Sequence, residues 1–366
     1  MMWILIFLAI LILSLTGFAF VVKRLTEFPF LRRLPPRKAY LFSFLILAVV
    51  LTAVSLWSGI WNGMIVFIHL LLLWLICEGI FRLAAVLLKK PFVGYRAGIA
   101  AVCVTICYLA AGFYAVHHVW RTAYTFETEQ SLGLPSLRIV GFSDSHVGTT
   151  FHADRFNEFV AQMNAEQPDL VVIVGDFVDD STGYADMAES CRALGQLKTK
   201  YGVYYVFGNH DKGYYGNHRG YGEEELIKNL QENNVTVLQD DVVPITANAV
   251  LCGRQDAERK SRMSMEELTG NFGDDIFSIV LDHQPNDYAA QAAAGAGLVI
   301  SGHTHGGQFF PIIHAGEWIS ANDMTYGTKQ IGQTRFIVSS GISNWAFRFK
   351  TGCISEYFVI DLIEKQ

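Results

Sequence analysis

The sequence predicts an α/β fold with a mostly parallel sheet core, preceded by four transmembrane α-helices. Two observations carry this. Four long apolar stretches, about residues 2–22, 39–60, 64–88 and 97–120, fill the front of the chain almost without charge. Behind them, short Val- and Ile-rich runs recur, each passing at once into a polar turn. The expected division is an anchor over 1–121, a polar connector over 122–135 and an α/β domain over 136–366.

Each apolar stretch is long enough to cross a hydrocarbon layer of about 30 Å, which takes about 20 helical residues. The first stretch lacks a basic leader and a small-residue cleavage site, so it reads as an uncleaved anchor and not a signal peptide. Basic residues fall in the first loop (Lys23, Arg24, Arg32, Arg33, Arg37, Lys38) and the third (Lys89, Lys90, Arg96), with none in the second. The positive-inside bias makes loops one and three cytoplasmic, which places everything after the fourth helix outside the cytoplasm. Glu78 and Arg82 are spaced i,i+4 near the basic end of the third stretch and read as a structural pair, not a transport site. A multi-pass anchor in the cell membrane is the expectation for this part.

Charge divides unevenly. Residues 1–121 hold 11 Lys/Arg against 2 Asp/Glu, and residues 122–366 hold 17 against 32, so the second part has a net charge of −15. An acidic surface excludes a phosphate-backbone partner, and no nucleic acid is expected. The six cysteines show no paired spacing, and the odd three beyond residue 121 forbid a complete disulfide set.

The runs 137–142, 170–174, 203–207, 277–281 and 298–300 are continuous and apolar, as strands buried on both faces require. Between the first of them, 153–166 and 187–199 carry helical spacing, with Phe156, Phe159, Val160 and Met163 on one face. Strand, helix, strand implies right-handed crossovers and parallel pairing. Runs at 336–339 and 354–362 suggest further strands and a second packed sheet. In parallel sheets ligands gather beyond the carboxyl ends of the strands, and every polar turn lies at that edge.

Those turns carry Asp144 and His146, Asp176, Asn209, His283, and His303 with His305. Carboxylate and amide oxygens mixed with imidazole nitrogens, and no thiolate, favour manganese, iron(II) or zinc. Seven donors are too many for one ion and suit two divalent metal ions, which together can clamp a phosphoryl group and activate water. Asp176, on a glycine turn, is the natural bridge. Asp180 and Asp282, beside motif residues, read as solvent-facing or turn-forming.

The order Asp-x-His (Asp144, His146), Gly-Asp-x-x-Asp (Gly175 to Asp179), Gly-Asn-His-Asp (Gly208 to Asp211), His283 and Gly-His-x-His (Gly302 to His305) resembles the signature of the calcineurin-like metallophosphoesterase superfamily. The resemblance spans about 136–362 and is nearest to membrane-anchored bacterial phosphoesterases. It implies a four-layer αββα sandwich. It also implies that Asp144, His146 and His305 hold one metal, that Asn209, His283 and His303 hold the other, and that Asp176 bridges. His210 would act as the acid toward the leaving oxygen, oriented by Asp211, and Asp179 would support a ligand histidine.

Two segments bear on the substrate. The Gly- and Tyr-rich stretch 212–222 is either a mobile lid or a surface loop. Arg254 either contacts a substrate phosphate or pairs with Asp256 or Glu258. The expected activity is hydrolysis of a phosphomonoester, phosphodiester or pyrophosphate bond in a phosphorylated small molecule or a lipid-linked envelope substrate beside the lipid bilayer. The competing readings are a catalytically silent sensor or adaptor that binds phosphorylated ligands, and a transporter with a regulatory phosphoesterase domain.

Overall fold

The computed structural model describes residues 2–365 apart from 93, 215, 271 and 274; the side chains of 2–12, 216 and 217 lie outside that description. The chain forms two compact units. One is Met1–Gly112 with Ala346–Arg348, and the other is Phe113–Trp345 with Phe349–Gln366.

The first unit holds α1 (Met2–Leu25), α2 (Pro29–Arg32), α3 (Pro36–Ser58), α4 (Ile60–Leu87) and most of α5 (Arg96–His117). Prolines open α2 and α3, where a missing amide hydrogen costs nothing. Among the described residues three helices, α3, α4 and α5, are long and apolar enough to cross a membrane, one fewer than the four expected. The first expected span falls on α1, whose opening side chains lie outside the description. Glu78 of α4 accepts from Arg24 at 2.6 Å, Arg82 at 3.0 Å and the Tyr95 hydroxyl at 2.5 Å. These bonds cross-link α1, α4 and the segment before α5, which is a structural duty for the Glu78–Arg82 pair.

The second unit contains two six-stranded sheets. The first is built from β1 (Val119–Thr128), β2 (Ser136–Phe142), β3 (Leu170–Val174), β4 (Val203–Val206) and β5 (Val235–Leu238), with helices α6 (Ala153–Ala165), α7 (Tyr184–Leu194) and α8 (Glu223–Glu232) between strands. The second contains β6 (Asp241–Pro244), β7 (Ala249–Gly253), β8 (Phe277–Leu281), β9 (Leu298–Ser301), β10 (Gly327–Ile331) and β11 (Thr334–Val338), with the short helices α9 (Met265–Thr269), α10 (Tyr288–Ala293) and α11 (Ala315–Trp318). The last strand, β12 (Ser355–Glu364), returns to the first sheet, giving the orders β1-β12-β2-β3-β4-β5 and β10-β11-β9-β8-β7-β6. Pairing is parallel from β2 through β5 and from β7 through β9 to β11.

Side-chain alternation along each strand assigns the layers. Ile139, Val172 and Val206 of the first sheet meet Leu251, Ile279, Ile300 and Ile337 of the second in one buried core. Their neighbours Val140, Val171 and Ile173 face outward under Phe156, Phe159, Met163, Met187 and Leu194 of α6 and α7. Val280, Val299 and Phe336 face outward under Met265, Leu268 and Tyr288. Helix, sheet, sheet, helix is the four-layer αββα sandwich.

One expected boundary moves. The segment read as a polar connector, 122–135, begins inside β1, which pairs in parallel with β12 over ten residues from Val119↔Ser355 to Thr128↔Glu364. Its side chains alternate between half-buried and exposed, as suits an edge strand, so it lacks the unbroken apolar run that marks the central strands.

Candidate metal centre

Strands β2, β3, β8 and β9 each end in a turn that lifts a polar side chain over the sheet edge. Turning the chain this sharply takes an unusual backbone: Asp144, His146, Asp176, His303 and His305 all have φ between 37° and 70°. This left-handed region is uncommon for residues other than glycine, and such strain collects at functional sites. Glycines give the turns room. A Cβ on Gly302 would lie 2.4 Å from Asp144 Oδ2, and one on Gly208 would lie 2.2 Å from Asp176 Oδ1.

Two donor sets result. Asp144, His146 and His305 form one buried group, and Asp176, His283 and the half-buried His303 a second, with the ligand atoms of each set within 4.8 Å of one another. Asp176 Oδ2 stands 3.1 Å from His283 Nε2 and 3.7 Å from His146 Nε2, so this carboxylate touches both sets. Asn209 Oδ1 lies 3.0 Å from His303 Nδ1 in the second. The seven residues singled out in the sequence therefore come together.

The donors fit divalent cations. The Nε2 atoms of His146 and His283 are buried and face the Asp176 carboxylate at 3.7 and 3.1 Å without a hydrogen bond of proper geometry. Unpartnered buried polar atoms are costly, and a cation at this place would satisfy them. Electrostatics agree. Burial works to lower the His283 pKa, but Asp176 and Asp144 overturn it and push the ring up to about 10. Burial likewise opposes ionisation of Asp176, yet the surrounding imidazoles hold its carboxyl well below the usual range.

Outer contacts orient the donors. His283 Nδ1 bonds the Val174 carbonyl at 2.8 Å. Asp179 Oδ2 lies 3.3 Å from His146 Nδ1, while its other oxygen accepts from the Ser181 amide and hydroxyl. The His303 amide donates to Asp144, and the His210 amide donates to Asp176 Oδ1 at 2.8 Å.

His210 sits at the rim, its ring 5.2 Å from His146, 5.3 Å from Tyr214 and 5.0 Å from Trp345. Burial holds its pKa below the usual histidine range, against the opposing pull of Asp176. The expected His210–Asp211 pairing differs from the contacts that form. The Asp211 carboxylate turns inward, accepting from the amides of Asp176, Val178 and Gly208. Burial first, then the nearby Asp176, pushes Asp211 up to about 7, with the backbone amides opposing.

A model of the calcineurin-like phosphoesterase family matches residues 137–307. A metallophosphoesterase of Aquifex aeolicus is 31% identical over 192 residues, covering 51% of this chain and 70% of that protein. The chain belongs to the calcineurin-like phosphoesterase family. A transmembrane protein with a metallophosphoesterase domain from Bos taurus is 32% identical, over 60% of this chain and 52% of that one. A metallophosphoesterase of Campylobacter jejuni is 29% identical, over 63% and 60%. The chain thus spans between about half and three fifths of these last two relatives.

Within this phosphoesterase domain, Arg254 is buried, pairing with Asp282 at 3.1 Å and Asp287 at 2.5 Å. Neither Asp256 nor Glu258 is its partner. Asp282 is fully buried between Arg254 and Arg262, so of the two readings, solvent-facing or turn-forming, the first is overturned. The stretch 212–222 is partly bolted down. Lys212 pairs with Glu258, Arg219 donates to the Asp211 carbonyl at 2.6 Å, and the Tyr214 amide donates to Asp180. Tyr215 of that stretch lies outside the described residues. Tyr214 falls in the Tyr-rich stretch singled out in the sequence, whereas nothing there pointed to Trp345. Tyr214 accepts from Asn209 Nδ2 at 2.9 Å.

Proposed function

We propose that this chain is a membrane-anchored phosphohydrolase working with two divalent cations, drawn from manganese, iron and zinc. The observation that carries the reading is the convergence of buried imidazole nitrogens of His146, His283 and His305 on the carboxylates of Asp144 and Asp176. Asp144, His146 and His305 would hold one ion and Asn209, His283 and His303 the other, with Asp176 shared. Bound there, the cations supply positive charge against the phosphoryl oxygens and make water a nucleophile at neutral pH.

The chain's own groups do the rest. Asp179 and the Val174 carbonyl hold His146 and His283 in one ring orientation. His210, at the rim, delivers a proton to the departing oxygen, and its backbone is held by Asp176 rather than by a side-chain partner on its ring. Asp211 braces the two turns that carry Asp176 and His210.

The basic residues of the first and third loops support an extracytoplasmic catalytic unit. A phosphoester of a membrane lipid or an envelope polymer is the substrate class that such a tethered enzyme meets at high local concentration. The test is release of p-nitrophenol from mono- and bis-p-nitrophenyl phosphate by the detergent-purified full chain supplied with Mn²⁺, Fe²⁺ or Zn²⁺. Release that stops on chelation and returns with metal is expected. No turnover of either ester with any of the three ions would overturn the proposal. Protease added to whole cells should reach the catalytic unit, and protection there would reverse the assigned side.

A further inference from the structure

Beyond residue 118, ten large apolar side chains are exposed among the described residues, and four of them fall within residues 310–319. Phe310 is 59% exposed, Ile312 52%, Trp318 68% and Ile319 77%. Water-facing apolar side chains at this density mark an interaction surface, whereas single ones need no explanation.

The segment is built to hold its shape. It leaves the metal centre directly, since the turn carrying His305 ends at Gly307. The Gln308 carbonyl accepts from the amides of Thr351 and Gly352 at 2.8 and 3.0 Å. Glu317 Oε1 accepts the Thr325 amide at 2.8 Å, and the Thr304 hydroxyl donates to the Thr325 carbonyl at 2.5 Å. Both ends are therefore fixed to the wall that carries His303 and His305, while the apolar tips stay bare.

Its chemistry selects the occupant. Residues 309–322 contain no lysine or arginine, and Glu317, the one acid, is engaged by His314 and Thr325. A basic or acidic partner has nothing to read here. Three helices of the chain are long and apolar enough to cross a membrane, so a bilayer is the partner its own sequence supplies. Tryptophan with bulky aliphatic side chains is the composition that enters the headgroup boundary.

We infer that residues 310–319, led by Phe310, Ile312, Trp318 and Ile319, form a strap that inserts into the surface of the lipid bilayer beside the metal centre. The strap sets the mouth of that centre at headgroup depth and selects phosphoesters of membrane lipids. This selection rests on the phosphohydrolase reading; the insertion does not.

The full chain reconstituted in phosphatidylcholine vesicles tests both parts. Tryptophan fluorescence is compared in plain and brominated-acyl lipid for the wild type and for Trp318→Phe. Quenching should be larger in the wild type, the difference being the signal of Trp318. Raising salt from about 0.05 to about 0.5 M should leave that difference unchanged, because no ion pair is involved. Equal quenching in the two proteins, or a difference abolished by salt, would overturn insertion. In the same vesicles Ile319→Ser should lower hydrolysis of a long-chain lipid phosphodiester by about tenfold, as loss of one buried aliphatic side chain implies. Its hydrolysis of bis-p-nitrophenyl phosphate should be unchanged, and equal loss on both esters would overturn the selective role. Failure of the wild type on every ester would sink the phosphohydrolase reading and leave the quenching result to decide insertion.

Discussion

His283 Nδ1 lies 2.8 Å from the carbonyl oxygen of Val174, the last residue of the strand that leads to Asp176. One bond thereby fixes which imidazole nitrogen is left for a ligand, and Nε2 is the one that stands 3.1 Å from Asp176. Two turns from different sheets are registered against each other before any cation arrives.

His283→Ala should therefore bind fewer divalent ions per chain than the wild type and lose more activity than the about 10–100-fold typical of outer partners. Metal content by plasma emission after gel filtration, paired with bis-p-nitrophenyl phosphate hydrolysis, checks this. An unchanged metal content would remove His283 from the centre.

Asp179→Asn keeps the size of a side chain that touches His146 Nδ1 but removes its charge. Metal affinity should fall about 10–100-fold with little change in melting temperature. Competition with a fluorescent chelator measures it.

His210→Ala should retain both metals while kcat falls by about 10²–10⁴, the usual worth of a positioned proton donor. The loss should be smaller for an ester with a good leaving group, such as p-nitrophenol, than for an alkyl ester. Equal losses on both would point to a positioning duty instead.

Gly302→Ala places a methyl group 2.4 Å from Asp144 Oδ2. Overpacking of this kind costs about 1–3 kcal/mol and should also lower metal content, because Asp144 must move. A thermal melt with and without added Mn²⁺ separates the two effects.

Away from the centre, the Arg121 guanidinium bonds Glu166 at 2.8 Å and, against the opposing effect of burial, holds its carboxyl below the usual range, with help from the Tyr357 hydroxyl. A depressed folded-state pKa contributes stability above the unfolded value of about 4.3, lost as pH falls through the folded value. Glu166→Gln should melt earlier than the wild type near neutral pH, and the gap should close in acid. Differential scanning fluorimetry across that window reads it.

The parallel core was legible because strands such as Leu170–Val174 and Phe277–Leu281 are buried on both faces and so are apolar at every position. The edge strands were not. In β10, Gly327–Ile331, no residue is buried, and β6 is four residues of half-exposed Asp-Val-Val-Pro, so neither has a pattern that separates strand from loop. The seven donors were readable as motifs because each sits within a few residues of a recognisable strand end. Contacts between distant segments were not. Arg254 reaches Asp282 across 28 positions, and Trp345 meets His210 across more than a hundred. The inward turn of Asp211 is hidden for another reason: sequence gives adjacency, whereas side-chain direction on a tight turn is set by the backbone.

Pairing of β1 with β12 means that the first and last strands of the second unit lie side by side at the border of one sheet. A fragment cut at the first motif-bearing strand would leave β12 with a bare row of amides and carbonyls, an invitation to self-association. Preparations meant to behave as monomers should keep residues 119–128, although that stretch carries none of the seven donors.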